Sequence, residues 1–387
     1  MRILLISSKF NPEYSGSGLR AQNTYSRLEK KFKVNYNIIS NSKLYRGNKF
    51  YKINNIEVYR ISSPIKISNH NIILKKITIV FSFFWEIYYS FIFLKKHFHK
   101  YDLLHTFGNT FTVGFFTFYF SKYDKPVIRE LCNELKNPYY PIQFKKIFKK
   151  IFSKKNTLII AISKKLEIIA KKHNVRNVWL RPNPIDEKKF FIDYERKYLF
   201  RKKLTKFNKN HKVITCIANY TENKNQIFLI DLLKKLPENY RMVLNGPLKP
   251  ENKNYFDLIV KKIKKLGLEE KIDLKYGFVD DFDQYIKLSD VFLVPSISEG
   301  FCTPILESQA CGVPVVSNFI ENVTDKNIIE GKGGFFLKLN CKNWTTKIID
   351  ATKIDKSLLT ENSNFLVKNF SAQTIDKLYF EKIKNLI

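Results

Sequence analysis

Pro295-Ser296-Ile297-Ser298-Glu299-Gly300-Phe301-Cys302-Thr303-Pro304-Ile305-Leu306-Glu307-Ser308-Gln309-Ala310-Cys311-Gly312-Val313-Pro314-Val315-Val316 follows an apolar run at residues 291–294. That run reads as a buried strand ending at Pro295, with Glu299 and Gly300 in the loop beyond it. A helix is expected from about Thr303, because Pro304 suits a first turn, where the missing N–H has no partner to lose. Such a passage aims free backbone N–H groups and a positive helix end into the crevice at the strand's C-terminal edge, where a diphosphate is welcome. Glu299 lies before the helix and Glu307 about one turn into it. The two carboxylates therefore reach different hydroxyl-bearing parts of one extended ligand, as a sugar nucleotide would present them.

Upstream, residues 213–218 read as another strand, followed by Asn219-Tyr220-Thr221-Glu222-Asn223-Lys224-Asn225. Taken alone, Lys224 is a solvated surface lysine; after a parallel strand and at a helix start it is placed to meet phosphate charge. Leu229, Leu232, Leu233 and Leu236 then recur at i, i+3, i+4 and i+7 and stop at Pro237. Short strands at 242–244 and 272–274 and a helix near 281–288 complete an alternating α/β half. Residues 3–7, 34–39, 56–61, 103–105, 126–131 and 157–162 form a similar series, with a glycine loop at Gly16, Ser17 and Gly18 before a helix over 20–28. Periodicity fails between 181 and 210. We therefore divide the chain at 1–190 and 191–370, with a terminal helix at 371–387 expected to cross back to the first domain.

The length of 387 residues suits two domains, each with its own core. Five scattered cysteines with no C-x-x-C pair suggest a reducing cytosol, and the N-terminus turns polar at Ser7, too early for a signal peptide. A cytoplasmic protein, peripheral at most, is expected. The formal charge of +33 points to anionic partners, with an anionic membrane surface ahead of nucleic acid, unless it reflects composition alone. Residues 78–94 are the most apolar stretch. Glu86 interrupts them, which predicts a core helix with one greasy face rather than a membrane span. At 142–152, four lysines oppose Phe144, Ile147, Phe148 and Ile151, as in a basic surface helix packed on a sheet. His97 and His99 lack a third metal ligand at suitable spacing and read as a solvated helix end.

The segment S-E-G-F-C-T-P-I-L-E-S-Q-A-C-G-V-P-V-V resembles the signature of the retaining glycosyltransferase family 4, of the GT-B fold. Weaker matches run in order along the chain: Gly16 and Gly18, Asp102-Leu103-Leu104-His105, Ala161-Ile162-Ser163, Arg181-Pro182-Asn183-Pro184, Tyr276-Gly277-Phe278-Val279 and Asn369-Phe370-Ser371. The resemblance implies an α/β fold of two Rossmann-like domains facing across a donor cleft. It also implies a metal-independent hexosyltransferase without cofactor, using a UDP- or GDP-linked sugar as co-substrate and a glycan or lipid-linked acceptor. By the same resemblance Glu299 contacts the donor sugar, Glu307 the ribose, and Lys224 the phosphate. Backbone groups at Gly300, Phe301, Cys302 and Thr303, with Gly16, Ser17 and Gly18, approach the diphosphate.

Three positions depart from the family. Asn219, itself a donor-site candidate, stands where an arginine is usual, so that phosphate contact is either missing or supplied elsewhere, by Arg20 or Arg181. No histidine occurs at 126–133, leaving Glu130, Asn133 and, further off, His105 as acceptor-side candidates; the other readings are an ordinary polar strand end for Glu130 and Asn133 and a core position for His105. Cys302 replaces a frequent glycine. Two other readings remain open here: a nucleotide-sugar epimerase of the same fold, which would alter the donor without an acceptor, and a basic nucleic-acid- or membrane-binding protein, which would show steep salt dependence.

Overall fold

The computed structural model describes residues 1–13, 15–42, 44–65, 72–131, 138–139 and 144–387. They form two compact units, one of Met1–Pro182 with Asp376–Ile387, the other of Asn183–Ile375. The first unit contains β1 (Arg2–Ser7), α1 (Gly16–Phe32), β2 (Asn35–Ser40), β3 (Lys49–Ile53), β4 (Ile56–Arg60), α2 (Ile72–His97) and β5 (Leu103–Phe107). It continues through α3 (Phe111–Lys122), β6 (Val127–Leu131), α4 (Lys145–Phe152), β7 (Thr157–Ala161), α5 (Lys164–Lys172) and β8 (Val178–Leu180). Its sheet order is β3-β4-β2-β1-β5-β6-β7-β8, parallel except for the β3–β4 hairpin.

Helices cover both faces of this sheet, so its strands read as unbroken apolar runs rather than alternating ones. Ile3 and Leu5 of β1 point into a core with Tyr25 and Leu28 of α1. Leu4 and Ile6 point the other way, into a core with Phe93, Leu94 and Phe116. The glycines expected as a loop form the first turn of α1, capped by Ser15, whose Oγ accepts from the Gly18 amide at 2.9 Å.

The second unit runs α6 (Lys197–Leu204), β9 (Lys212–Ile217), α7 (Gln226–Leu233), β10 (Tyr240–Asn245), α8 (Lys253–Lys265), β11 (Ile272–Leu274), α9 (Phe282–Lys287) and β12 (Val291–Val294). Then follow α10 (Thr303–Ala310), β13 (Val315–Asn318), α11 (Thr324–Asn327), β14 (Gly334–Leu337), α12 (Cys341–Ala351), α13 (Lys356–Phe370) and α14 (Ala372–Lys384). The order β11-β10-β9-β12-β13-β14 is that of a dinucleotide-binding sheet. The division after Pro182 follows from hydrogen bonding: the Ile185 amide donates to the Phe370 carbonyl at 2.8 Å and the Ala372 amide to the Ile185 carbonyl at 2.7 Å.

Most of α14 belongs to the first unit, where Asp376 accepts two hydrogen bonds from Arg27, at 2.8 and 3.0 Å, and one from Lys31 at 3.2 Å. Two apolar helices differ from each other in outcome. The basic helix α4 buries Phe148, Ile151 and Phe152 and leaves its lysines outside; residues 142–143 lie outside the described ones. The core helix expected at 78–94 is not a core helix. Within α2 only Ser90, Phe93 and Leu94 are buried, because Glu86 faces inward and the greasy stripe faces out.

Candidate functional site

In the second unit the chain leaves β9 toward β10 on one side and leaves β12 toward β13 on the other. The strands part at that point, and a crevice opens beyond their carboxyl ends. It is a concavity of about 170 Å³, and its lining includes Asn219, Lys224, Pro295, Glu299, Cys302 and Pro304.

Local hydrogen bonds hold its two charged side chains. After β9 a short turn spans Glu222–Lys224, with the Thr221 side chain accepting from the Lys224 amide. Asn223 ties this turn to the loop after β12: its carbonyl accepts from the Ile297 amide at 2.8 Å, and its Nδ2 donates to the Ser298 carbonyl at 2.9 Å. Lys224 Nζ thereby reaches Glu299 Oε1 at 2.5 Å. Burial alone would lower the ammonium, but the neighbouring Glu299 carboxylate outweighs it and raises Lys224 above the usual lysine range.

Above the pair starts α10. Cys302 occupies its N-cap with φ 62° and makes no side-chain cap bond; its carbonyl accepts from the Ile305 amide at 3.0 Å, and Pro304 has no amide hydrogen, so Thr303 carries the first amide the helix start can offer. This left-handed backbone is one glycine adopts at no cost, which accounts physically for glycine being at ease there. The Phe301 carbonyl is fixed by Asn327 Nδ2 at 2.7 Å and Thr303 Oγ1 by Asn183 Nδ2 at 2.8 Å. Burial pushes the Cys216 thiol up to about 12 and Cys302 well above its ordinary value, so neither is a thiolate nucleophile at neutral pH. Among the described residues no group of three or more His, Cys, Asp or Glu is placed to hold a metal ion.

Gly300 sits in the loop just after Glu299 and, like Phe301 and Thr303, is outside the lining of the concavity. Glu307 lies one turn further along α10, also outside that lining, where burial first and then the Asp186 charge push its carboxyl up to about 8. The native state thus keeps a proton that the unfolded chain releases near its ordinary value, so this group's contribution to stability falls as pH rises from about 4.5 to about 8. Glu307→Gln removes that burden. We expect it to raise the melting temperature by roughly 2–4 °C at about pH 8, for about 1 kcal/mol, and to change little near pH 4.5. Calorimetry at both pH values checks this; an equal shift at both would sink the assignment.

Elsewhere, the sequence-derived candidates separate. Gly16 and Ser17 lie in the open first turn of α1. Gly18 is required locally, since a Cβ there would meet the Lys9 carbonyl oxygen at 2.5 Å. His105 and Glu130 are corrected from acceptor-side groups to members of a buried network. His105 is fully buried, with Nδ1 bonded to Tyr25 Oη at 2.9 Å and Tyr379 Oη at 2.5 Å, and burial holds its imidazole down to about 3, hence neutral. Glu130 lies between Arg20 and Arg181, which engages both arginines offered as substitutes at Asn219. Asn133 lies outside the described residues. The concavity also depends on residues the motifs did not single out, namely Asn223 and Gly246, where a Cβ would strike the Ala218 carbonyl at 2.0 Å. Adjacency of Asn223 to Lys224 was the only signal for the first.

Residues 199–361 match the family model described as glycosyl transferases group 1. This segment carries Lys224, Glu299, Glu307 and the whole lining of the concavity. The chain is similar to the capsular polysaccharide biosynthesis glycosyltransferase CapH of Staphylococcus aureus, at 25% identity over 46% of this chain and 50% of CapH. It is also similar to the Escherichia coli UDP-Gal:alpha-D-GlcNAc-diphosphoundecaprenol alpha-1,3-galactosyltransferase, at 26% identity over 53% of this chain and 54% of that one. The chain thus spans about half the length of these curated relatives. Among solved structures, Anabaena Alr3699/HepE in complex with UDP superposes with a TM-score of 0.75 at 17% identity, covering all of both chains. Sucrose-phosphate synthase from Thermosynechococcus elongatus gives 0.79 at 15%, covering 100% of this chain and 98% of the other. At such identities the likeness shows the fold, which is GT-B.

Proposed function

We propose that the protein is a glycosyltransferase that moves a sugar from a UDP- or GDP-linked donor to a glycan or lipid-linked acceptor in cell-surface polysaccharide synthesis. The observation that carries this reading is the Lys224–Glu299 pair, 2.5 Å apart at the β9/β12 switch point beneath the start of α10. A diphosphate entering the concavity gives Lys224 a second anionic partner and meets the helix amides. Glu299 then stays beside the sugar, and Glu307, protonated or hydrogen-bonded, meets hydroxyls of the nucleoside.

The resemblance to retaining enzymes supports a front-face displacement. The bond from the anomeric carbon to the diphosphate oxygen breaks, the acceptor hydroxyl oxygen bonds that carbon on the same face, and the hydroxyl proton passes to the departing diphosphate. The resemblance makes the acceptor hydroxyl the nucleophile, and burial keeps both nearby thiols protonated, which is in keeping with that assignment. The proposal assigns the leaving charge to Lys224 and the α10 amides, without a metal ion. The polysaccharide context is supported by the names of the relatives, one of which acts on a diphosphoundecaprenol-linked sugar.

The test is a thermal-shift and mass-spectrometric screen against UDP- and GDP-sugars in the presence of chelator. One nucleotide class is expected to stabilise the wild type, by about 2.7 kcal/mol at a hundredfold excess over Kd, and to lose that effect in Glu307→Ala. A folded protein stabilised by no nucleotide sugar refutes the reading. Conversion of the donor to another sugar nucleotide without acceptor would move it to the epimerase.

A further inference from the structure

Helix α2 is about 39 Å long and, among the described residues, is the one helix long and apolar enough to cross a membrane. Its two sides are very different. On the inner side Phe83 packs edge-on against Phe111 of α3 at 4.9 Å, Trp85 Nε1 donates to Asn48 at 3.2 Å, and Glu86 accepts from Thr112 Oγ1 at 2.9 Å. The Thr112 bond turns the helix's single carboxylate away from its outer face, where burial pushes the Glu86 carboxyl up to about 7. The outer side repeats Ile77, Val80, Phe84, Tyr88 and Phe91 at helical spacing, and these are 47–65% exposed.

A continuous apolar stripe of this length is larger than a soluble surface ordinarily leaves uncovered. Lysines flank it: Lys75 and Lys76 near its start, Lys95 and Lys96 near its end, all exposed and without an ion pair among the described residues. Next to α2 lies α3, and next to α3 lies α4, where Ile147 and four further lysines are exposed, as is Phe144 just before the helix. Aromatic and aliphatic side chains between cationic ends are the pattern of a helix lying at an anionic lipid surface.

We propose that α2 docks this protein on an anionic phospholipid bilayer, lying in the plane of the interface with Phe84, Tyr88 and Phe91 among the acyl chains and the flanking lysines at the headgroup phosphates. The stitched inner face argues for lying rather than spanning, since crossing would strip Phe83, Trp85, Glu86, Phe93 and Leu94 from the first unit. A second copy is a poor occupant, because it would set lysines against lysines in a chain of net charge +33. The docking does not depend on the transferase reading.

The experiment is flotation of the full chain with phosphatidylcholine vesicles and with vesicles containing phosphatidylglycerol. Wild type is expected to float with the anionic vesicles and more weakly with neutral ones. Phe84→Glu with Tyr88→Glu should cut recovery at least about tenfold at an unchanged melting temperature, both positions being exposed. Replacing Lys75, Lys76, Lys95 and Lys96 by Gln should remove the preference for anionic lipid, at about fivefold per lysine. Wild type remaining in the dense fraction with both vesicles, or the double variant floating like wild type, overturns the proposal. Resistance of the bound protein to alkaline carbonate would overturn the in-plane placement in favour of a span. A vesicle-free dimer that the double variant converts to monomer, with no flotation, would assign the face to a second copy.

Discussion

Lys224→Ala is expected to lower kcat/KM for sugar transfer about a hundred- to a thousandfold, equivalent to about 2.7–4 kcal/mol of transition-state stabilisation. Two effects combine. The departing diphosphate loses the ammonium that meets its growing charge, and Glu299, bonded to Nζ at 2.5 Å, is left uncompensated where another anion must bind. The first effect falls on kcat, the second on KM. Adding Glu299→Gln to Lys224→Ala should therefore recover part of donor binding, seen as a lower KM, while leaving kcat depressed. Initial rates for wild type, both single variants and the double variant separate the two. Lys224→Ala within about threefold of wild type would end the phosphate role proposed for this lysine.

The two α/β halves were legible because strands buried on both faces show themselves as short apolar runs, as at Ile3, Leu4, Leu5 and Ile6. The start of α10 was legible from Pro304 alone. Pairing of Lys224 with Glu299 was not, since it joins residues 75 apart and depends on β9 and β12 being neighbours, a fact of strand order rather than of local pattern. The position of Lys224 after a parallel strand and at a helix start placed it at phosphate in the cleft of the glutamate segment, and the family resemblance gave both residues roles on one donor. For residues 78–94 the reading failed because hydropathy along a helix does not say which side a lone carboxylate takes; Thr112 gave Glu86 an inward partner and left the apolar stripe outside. At the first unit's centre, the arginines considered for phosphate found Glu130, and His105 found Tyr379 across 274 residues of chain. No local spacing encodes such a meeting.

That central network sets the second large effect. Glu130→Gln is expected to destabilise the first unit by roughly 3–5 kcal/mol, the cost of removing one partner from a buried ionic cluster. The Glu130 side chain is wholly buried, with Arg20 Nε at 2.5 Å on one oxygen and Arg181, equally buried, on the other. Burial alone would raise this carboxyl; the two guanidinium groups outweigh it and hold it down to about 2. The sign is therefore opposite to that at Glu307: the native state stays ionised where the unfolded chain protonates, so Glu130 contributes its full stability above about pH 4.5 and loses it as pH falls toward about 2. Arg181 also lies over the Tyr379 ring at 5.0 Å, and Tyr379 shares the His105 bond, so the cluster fastens the segment Asp376–Ile387 as well as the sheet. Urea unfolding at neutral and acid pH reads both consequences. The gap between wild type and Glu130→Gln should be widest near neutrality and should close as acid protonates the native carboxylate, while proteolysis of the variant should begin in the C-terminal helix, whose Arg27–Asp376 bonds remain but whose Tyr379 anchor has lost its charge balance. A variant as stable as wild type at neutral pH would show that the two arginines find other partners without cost.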